Sequence, residues 1–212
     1  MKLDKQTMLL YAVTDRTWLG DQTLIEQVEE TLKGGATFIQ LREKDMAFED
    51  FVEEAKAIKK LTDAYQVPFV INDAVEVALA VDADGVHVGQ DDMDACELRK
   101  RIGDKIIGVS ADTVELALKA EADGADYIGV GAIYSTDTKT DAEVVDFETI
   151  AEICKSVTIP VVAIGGLNET NILTLKGTGV DGVALVSAIF SKEDIVTATK
   201  DLRSLSEEMT RS

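Results

Sequence analysis

The side chains able to do chemistry in this chain are mostly carboxylates and cations set at the ends of short apolar runs. Asp73 and Asp92 each follow such a run. Two carboxylates with oxygen-bearing neighbours suit Mg²⁺, which takes a few protein oxygens and completes its shell with water and substrate phosphate. Arg42, Lys44 and Lys139 supply positive charge in a chain whose net charge is -19. Carboxylates and cations around one pocket point to a magnesium–diphosphate pair. Gly165-Gly166 and Val186-Ser187 follow two later runs, where backbone N–H groups can cradle a second anion. Two anion sites imply two small phosphorylated substrates.

Stepping from these residues to the elements that carry them, "KGGATFIQLR", "DADGVHVGQD", "ADGADYIGVGAI" and "TGVDGVALVSAI" repeat one design, glycine with small or acidic residues before an apolar run. "MLLYAVTD", "PFVIND", "KIIGVSA" and "IPVVAIGG" fall in the gaps and bring the total to eight. Between them the apolar spacing turns helical: Leu24, Ile25, Val28 and Leu32; Phe48, Phe51, Val52, Ala55, Ile58 and Leu61; Ile195, Ala198, Leu202 and Leu205. Asp112 with Glu115 has capping-box spacing, and Asn168 and Ser191 are good cap types before further helices. The order is strand then helix, eight times over.

Near-continuous apolar strands separated by helices require a parallel sheet covered by helices. Eight units in 212 residues match the small end of the (β/α)₈ TIM barrel, an α/β fold. An open doubly wound sheet competes, but "TDRTWLGDQT" after the first run lacks a glycine-rich nucleotide loop. No linker or low-complexity tract interrupts the chain, so residues 1–212 are expected to form a single barrel domain. Barrels bind ligands at the carboxyl ends of their strands. Those ends read Asp15 and Arg16; Gln40, Arg42 and Lys44; Asn72 and Asp73; Gln90, Asp91 and Asp92; Ser110; Thr136, Thr138 and Lys139; Gly165 and Gly166; Ser187.

Composition narrows the partners. A sequence pI near 4.3 argues against an extended nucleic-acid surface or a basic membrane face, though a small anion needs only a local cationic pocket. The first residues lack a secretory signal and no apolar run reaches membrane-spanning length, so a cytoplasmic location is expected. Cys96 and Cys154 fit reduced packing residues rather than a disulfide or metal framework. His87 lies inside a strand and reads as a satisfied interior histidine. Trp18 reads as loop packing or a pocket lid. The sequence leaves room for a homo-oligomer.

The motifs "QLREK", "IND", "GVHVGQDD", "GVSADT", "STDTKT", "VVAIGG" and "ALVSAI", in this order and spacing, resemble the thiamine-phosphate synthase family. Any one of them is weak; seven in register are specific. The resemblance implies a (β/α)₈ barrel that joins 4-amino-2-methyl-5-(diphosphooxymethyl)pyrimidine to a thiazole phosphate and releases pyrophosphate. By that resemblance Gln40, Leu41, Arg42, Glu43 and Lys44, with Asn72, Ser110 and Lys139, hold the pyrimidine diphosphate, and Arg42, Lys44, Ser110 and Lys139 assist the chemistry. Asp73 and Asp92 bind Mg²⁺, while Thr136, Asp137, Thr138, Gly166, Val186 and Ser187 hold the thiazole phosphate.

Three departures from the family stand out: "PT-x-TK" reads "STDTK", the glycine normally a few residues beyond that lysine is replaced within "DAEVVDFE", and "GVS-x-H" reads "GVSADT". A related thiazole tautomerase would use a histidine where Asp112 stands, which counts against that alternative. A ligand-binding regulatory relative would lack metal or diphosphate residues, and here Asp73, Asp92, Arg42, Lys44 and Lys139 are all present. Taken singly, Asp73 and Asp92 read as helix caps, "TKT" as solvated loop and Gly165-Gly166 as a tight turn. Only their joint pattern favours an active site.

Overall fold

Eight parallel strands among the described residues pair in sequence order, and the last closes on the first. The computed structural model describes residues 3–90, 92–135 and 144–211. The strands are β1 (Leu10–Val13), β2 (Phe38–Leu41), β3 (Phe69–Asn72), β4 (Gly85–Val88), β5 (Ile106–Ser110), β6 (Tyr127–Val130), β7 (Val161–Ile164) and β8 (Gly182–Leu185). Closure is made by β8 against β1, with Ala184 opposite Tyr11. A parallel barrel fits the sequence because its strands are buried on both faces and so read as unbroken apolar runs.

Alternation sorts each run into two layers. Tyr11, Phe38, Val70, Tyr127, Val162 and Ala184 point inward and fill the barrel. Leu10, Ile39, Leu41, Ile71, Val86, Ile107, Ile128 and Val183 point outward beneath the helices. The helices are α1 (Leu24–Gly34), α2 (Phe48–Tyr65), α3 (Val75–Ala80), α4 (Ala95–Ile102), α5 (Val114–Ala122), α6 (Phe147–Ser156), α7 (Ser187–Phe190) and α8 (Ile195–Thr210). The apolar stripes cover the sheet as their spacing requires: Phe51, Ala55 and Ile58 of α2 are buried, as are Ile195 and Leu202 of α8. No helix among the described residues is long and apolar enough to cross a membrane.

The strand–helix alternation departs from the expected eight repeats after β7. There the chain makes only a 3₁₀ turn, Ile172–Leu175, and β8 is followed by two helices, α7 and α8. The Asn168 carboxamide accepts from the Thr170 N–H at 2.9 Å, and Asn171 Oδ1 accepts from the Asn168 N–H at 2.8 Å. Those local bonds favour a compact turn over a helix start. Two other caps differ from expectation. The α5 cap is Thr113, one residue beyond Asp112, because Thr113 is the extended residue whose hydroxyl accepts from the Leu116 N–H. Ser191 ends α7, and Asp194 caps α8 through the Thr197 N–H. Cys96 is exposed rather than packed, Cys154 is half-buried, and Trp18 is exposed in the loop after β1.

The cap correction is testable. Thr113→Ala is expected to cost about 1 kcal/mol in chemical denaturation, as loss of an N-cap does, whereas Asp112→Ala changes stability by less than about 0.5 kcal/mol. The reverse order of effects would restore Asp112 as the cap.

Candidate functional site

The carboxyl ends of β3 and β4 bring two acids together. Pairing of the two strands puts Asn72 opposite His87, and the Asp73 N–H extends the ladder by donating to the His87 carbonyl at 2.9 Å. Asp73 then takes a left-handed conformation, φ 58°, which turns the chain sharply into α3. Asp92 is folded back by the Gly89 N–H, which donates to its Oδ2 at 2.8 Å. The two carboxyls lie within hydrogen-bonding reach of each other. Asp73 is exposed as a residue, yet partial burial of its carboxyl raises its pKa to about 6. The Asp92 carboxylate pushes the same way, and Asn72 and Arg42 oppose the shift. Neither acid caps a helix: the N-cap of α3 is Ala74, without a side-chain cap, and α4 is capped by Asp94.

This pair has the chemistry to hold a hard divalent cation. The described residues contain no cluster of three or more His, Cys, Asp or Glu suited to a metal. Two carboxylates nonetheless fit Mg²⁺, which keeps several waters and draws further oxygens from phosphate. Like charges forced together are relieved by a cation between them.

The end of β2 contributes the positive side. Gln40 points into the barrel and is 4% exposed, while Leu41 points outward and is fully buried under the helices. Only the backbone of Leu41 is therefore available to a ligand. Thr14, itself buried, ties the next turn down, its Oγ1 accepting from the Arg42 N–H at 3.0 Å. Arg42 is half-buried and acts electrostatically on Asp73. Lys44 is exposed, and neither it nor Arg42 makes a salt bridge among the described residues.

Glu43 is engaged elsewhere. Its carboxylate lies 2.7 Å from Arg16 Nε, and the same guanidinium reaches Glu54 of α2 at 2.5 Å. Burial raises the Glu43 pKa and Arg16 pulls it back. Arg16 of the β1 loop thus ties the segment after β2 to α2 through Glu43 and Glu54. The Arg16–Glu54 contact was not legible, because it spans 38 residues.

Ser110 closes the far side at the end of β5, with its backbone carbonyl accepting from Gln90 Nε2. Its hydroxyl lies 3.0 Å from His87 Nε2, and His87 Nδ1 lies 2.9 Å from the Tyr127 hydroxyl. The interior histidine is therefore satisfied, as its position suggested. Tyr127 and Tyr11 were not singled out from sequence, although tyrosine at inward positions of otherwise aliphatic strands is a usable signal.

Past β7, Gly165 and Gly166 take left-handed conformations, φ 98° and 64°. A Cβ on Gly166 would stand 2.7 Å from the Tyr134 Cβ and 2.8 Å from the Ser135 carbonyl, so the chain end after β6 packs directly on this turn. Val186 and Ser187 sit where β8 passes into α7, and the first N–H groups of that helix have no intrahelical acceptor. These are the backbone donors that the sequence pattern assigns to a second anion. Thr136, Asp137, Thr138 and Lys139 lie outside the described residues, as does Asp91.

An open recess of about 760 Å³ lies at the opposite end of the barrel, lined by Lys5, Arg99, Asp126 and Pro160 among others. Its guanidinium is structural. Arg99 donates to the carbonyls of Gly103, Lys105 and Gly124 and to Asp126, clamping the loops that enter β5 and β6.

Comparison with known proteins gives a consistent picture. The family described as "Thiamine monophosphate synthase" matches residues 10–189. The thiamine-phosphate synthase of Clostridium tetani is 53% identical over 194 residues, spanning 91% of this chain and 93% of that protein. That of Enterococcus faecalis is 46% identical over 206 residues, spanning 97% of each. Among solved structures, a thiamine phosphate pyrophosphorylase from Pyrococcus furiosus superimposes with TM-score 0.90 at 42% identity, covering 97% of this chain and 98% of that one. A 3-hexulose-6-phosphate synthase, TM-score 0.65 at 18% identity, shares the fold alone.

The carboxylate pair has a pH signature. Because the Asp73 pKa is raised to about 6, its contribution is fully present below the ordinary carboxylate pKa and is lost as pH rises through about 6. In chelator, Asp73→Asn should unfold at a higher temperature than the parent at pH 8, with the gap closing toward pH 4. A gap independent of pH would mean that the two carboxyls do not repel.

Proposed function

The chain belongs to the thiamine monophosphate synthase family, and on that premise we propose that it condenses 4-amino-2-methyl-5-(diphosphooxymethyl)pyrimidine with thiazole phosphate to give thiamine phosphate and pyrophosphate. The observation that carries this reading is the convergence of Asp73 and Asp92 beside Arg42 at one rim of the barrel. Paired acids next to a guanidinium that makes no salt bridge among the described residues suit a metal-bridged diphosphate better than either charge alone. Asp73 and Asp92 hold Mg²⁺ in this reading. When bound, the ion neutralises charge on the diphosphate as it departs.

The remaining chemistry falls to the chain's own groups. The bond from the pyrimidine methylene to the diphosphate oxygen breaks, and its electron pair leaves with pyrophosphate. The methylene is left as a benzylic-type cation. Arg42 and Lys44, with Lys139 from the segment after β6, stabilise the leaving group as its charge grows. Gln40, Asn72 and Ser110 orient the pyrimidine. Gly166, Val186 and Ser187 offer backbone N–H groups to the thiazole phosphate, joined by Thr136, Asp137 and Thr138. The thiazole nitrogen, held close to the methylene, donates its lone pair to form the new C–N bond. No side-chain nucleophile is required.

Leu41 and Glu43 contribute differently from their neighbours in this reading. Leu41 serves through its backbone, and Glu43 holds Arg16 so that the segment carrying Arg42 and Lys44 stays in register. Alternation along the strand end supports that division, since Gln40 and Arg42 share one side and Leu41 and Glu43 the other.

Incubation of the protein with both phosphorylated substrates and Mg²⁺ tests the reading. Thiamine phosphate and pyrophosphate should appear in equal amounts, and Asp73→Ala and Asp92→Ala should each lower kcat by about 100-fold or more while leaving a folded barrel. No product under conditions where a relative from the same family is active would overturn the proposal. Unchanged turnover and Mg²⁺ dependence in both variants would remove the metal assignment.

A further inference from the structure

Beneath the rim, a buried chain of hydrogen bonds crosses the barrel from one proposed pyrimidine-binding residue to another. Gln40 Nε2 donates to the Tyr11 hydroxyl at 2.5 Å, and the Tyr11 and Tyr127 hydroxyls are 2.7 Å apart. The chain continues from Tyr127 to His87 Nδ1 at 2.9 Å and from His87 Nε2 to Ser110 Oγ at 3.0 Å. Its three middle members are at most 9% exposed, so water does not compete for these bonds. Space for the chain is built in: a Cβ on Gly108 would stand 2.3 Å from the Tyr127 hydroxyl and 2.5 Å from His87 Nδ1. An alanine there could not coexist with the phenol–imidazole contact.

The proton count gives this chain a direction. A phenol carries one hydrogen and a neutral imidazole one N–H. Tyr11 receives from Gln40, so its own proton goes to Tyr127. Tyr127 must then donate to His87 Nδ1, which leaves the imidazole proton on Nε2, donated to Ser110. The Ser110 hydroxyl proton is the one left over. Burial supports the neutral imidazole this requires, pushing the His87 pKa down to about 4. Burial likewise keeps both phenols protonated by raising their pKa values.

We propose that Tyr11, Tyr127 and His87 are positioning residues that lock the two ends of the pyrimidine site into opposite polarity, Gln40 Oε1 as an acceptor and the Ser110 hydroxyl as a donor. The inference rests on the proposed function, in which both ends touch the same substrate. A ligand matched to this polarity has an N–H donor at one end and an anionic oxygen at the other, as an aminopyrimidine diphosphate has. An oxo-pyrimidine would meet Gln40 Oε1 acceptor to acceptor, since Nε2 is the group turned to Tyr11. Reversing Gln40 would reverse every bond in the chain, including the one at Ser110 on the opposite wall. The two ends are therefore read together rather than separately.

The chain has a single histidine, so ¹⁵N-histidine labelling reports its tautomer without overlap. The wild-type protein at pH 8 should show the proton on Nε2. Gln40→Glu offers Tyr11 a carboxylate that only accepts, and it should move the His87 proton to Nδ1. A wild-type Nδ1–H tautomer, or the same tautomer in both proteins, would overturn the proposal. If Gln40→Glu does not fold, the wild-type spectrum and Tyr127→Phe decide. That variant should raise KM for the pyrimidine diphosphate about tenfold, the cost of one mispaired hydrogen bond to the substrate, and leave the thiazole phosphate KM within about twofold. Lower stability with both KM values unchanged would show a purely structural role and overturn the proposal. The tautomer measurement needs no turnover, so an inactive protein with the expected tautomers would sink the proposed reaction and leave the chain's direction standing.

Discussion

Asp73 and Asp92 are held close together against their own repulsion, and much of the rim is organised around that constraint. Hydrogen bonds to backbone enforce it: the Asp73 N–H is tied to the His87 carbonyl, and Asp92 is bent back onto the Gly89 N–H. The burial that raises the Asp73 pKa also makes the pair costly to ionise. In a chain of net charge -19, a cation joining such a pair relieves that cost. Arg42 at the neighbouring strand end is a cation that acts on Asp73, and in the proposed reaction Mg²⁺ arriving with the diphosphate would supply the rest.

Strand parity determines what each rim residue can do. Gln40 and His87 turn inward because their strands alternate, and the same alternation sends Leu41 under the helices. Parallel pairing sets Asn72 beside His87 and His87 beside Gly108, and it sets Gly108 beside Tyr127. A glycine between two ring-bearing residues leaves the volume in which the imidazole and the phenol meet. The polar chain across the barrel is thus a product of register. A one-residue slip in β5 would put Ile107 or Val109 between those rings.

The barrel itself was legible because each strand is a continuous apolar run and each long helix keeps its stripe. Legibility failed where local side-chain bonds competed with periodicity. After β7, buried Ile172 and Leu175 have helical spacing, but Asn168 and Asn171 bond to nearby backbone and hold a 3₁₀ turn instead. At α5, cap type favoured Asp112, whereas the cap is set by the extended backbone of Thr113. In the candidate site, Asp73, Arg42 and Ser110 stand at the strand ends that the runs indicated, and Asp92 follows in the loop after β4. The engagement of Glu43 with Arg16 and the partners of His87 were hidden, since long-range side-chain contacts leave no local spacing to read. Thr136 to Lys139 fall outside the described residues.

Joint recognition of metal and diphosphate is the central claim, and calorimetric titration with inorganic pyrophosphate tests it most directly. Pyrophosphate should bind the wild-type protein at least about tenfold more tightly with excess Mg²⁺ than in chelator, a coupling of about 1.4 kcal/mol. Asp92→Asn should retain the weak metal-free binding through Arg42 and Lys44 and lose the gain. An equal gain in wild type and Asp92→Asn, or no gain in either, would contradict the account.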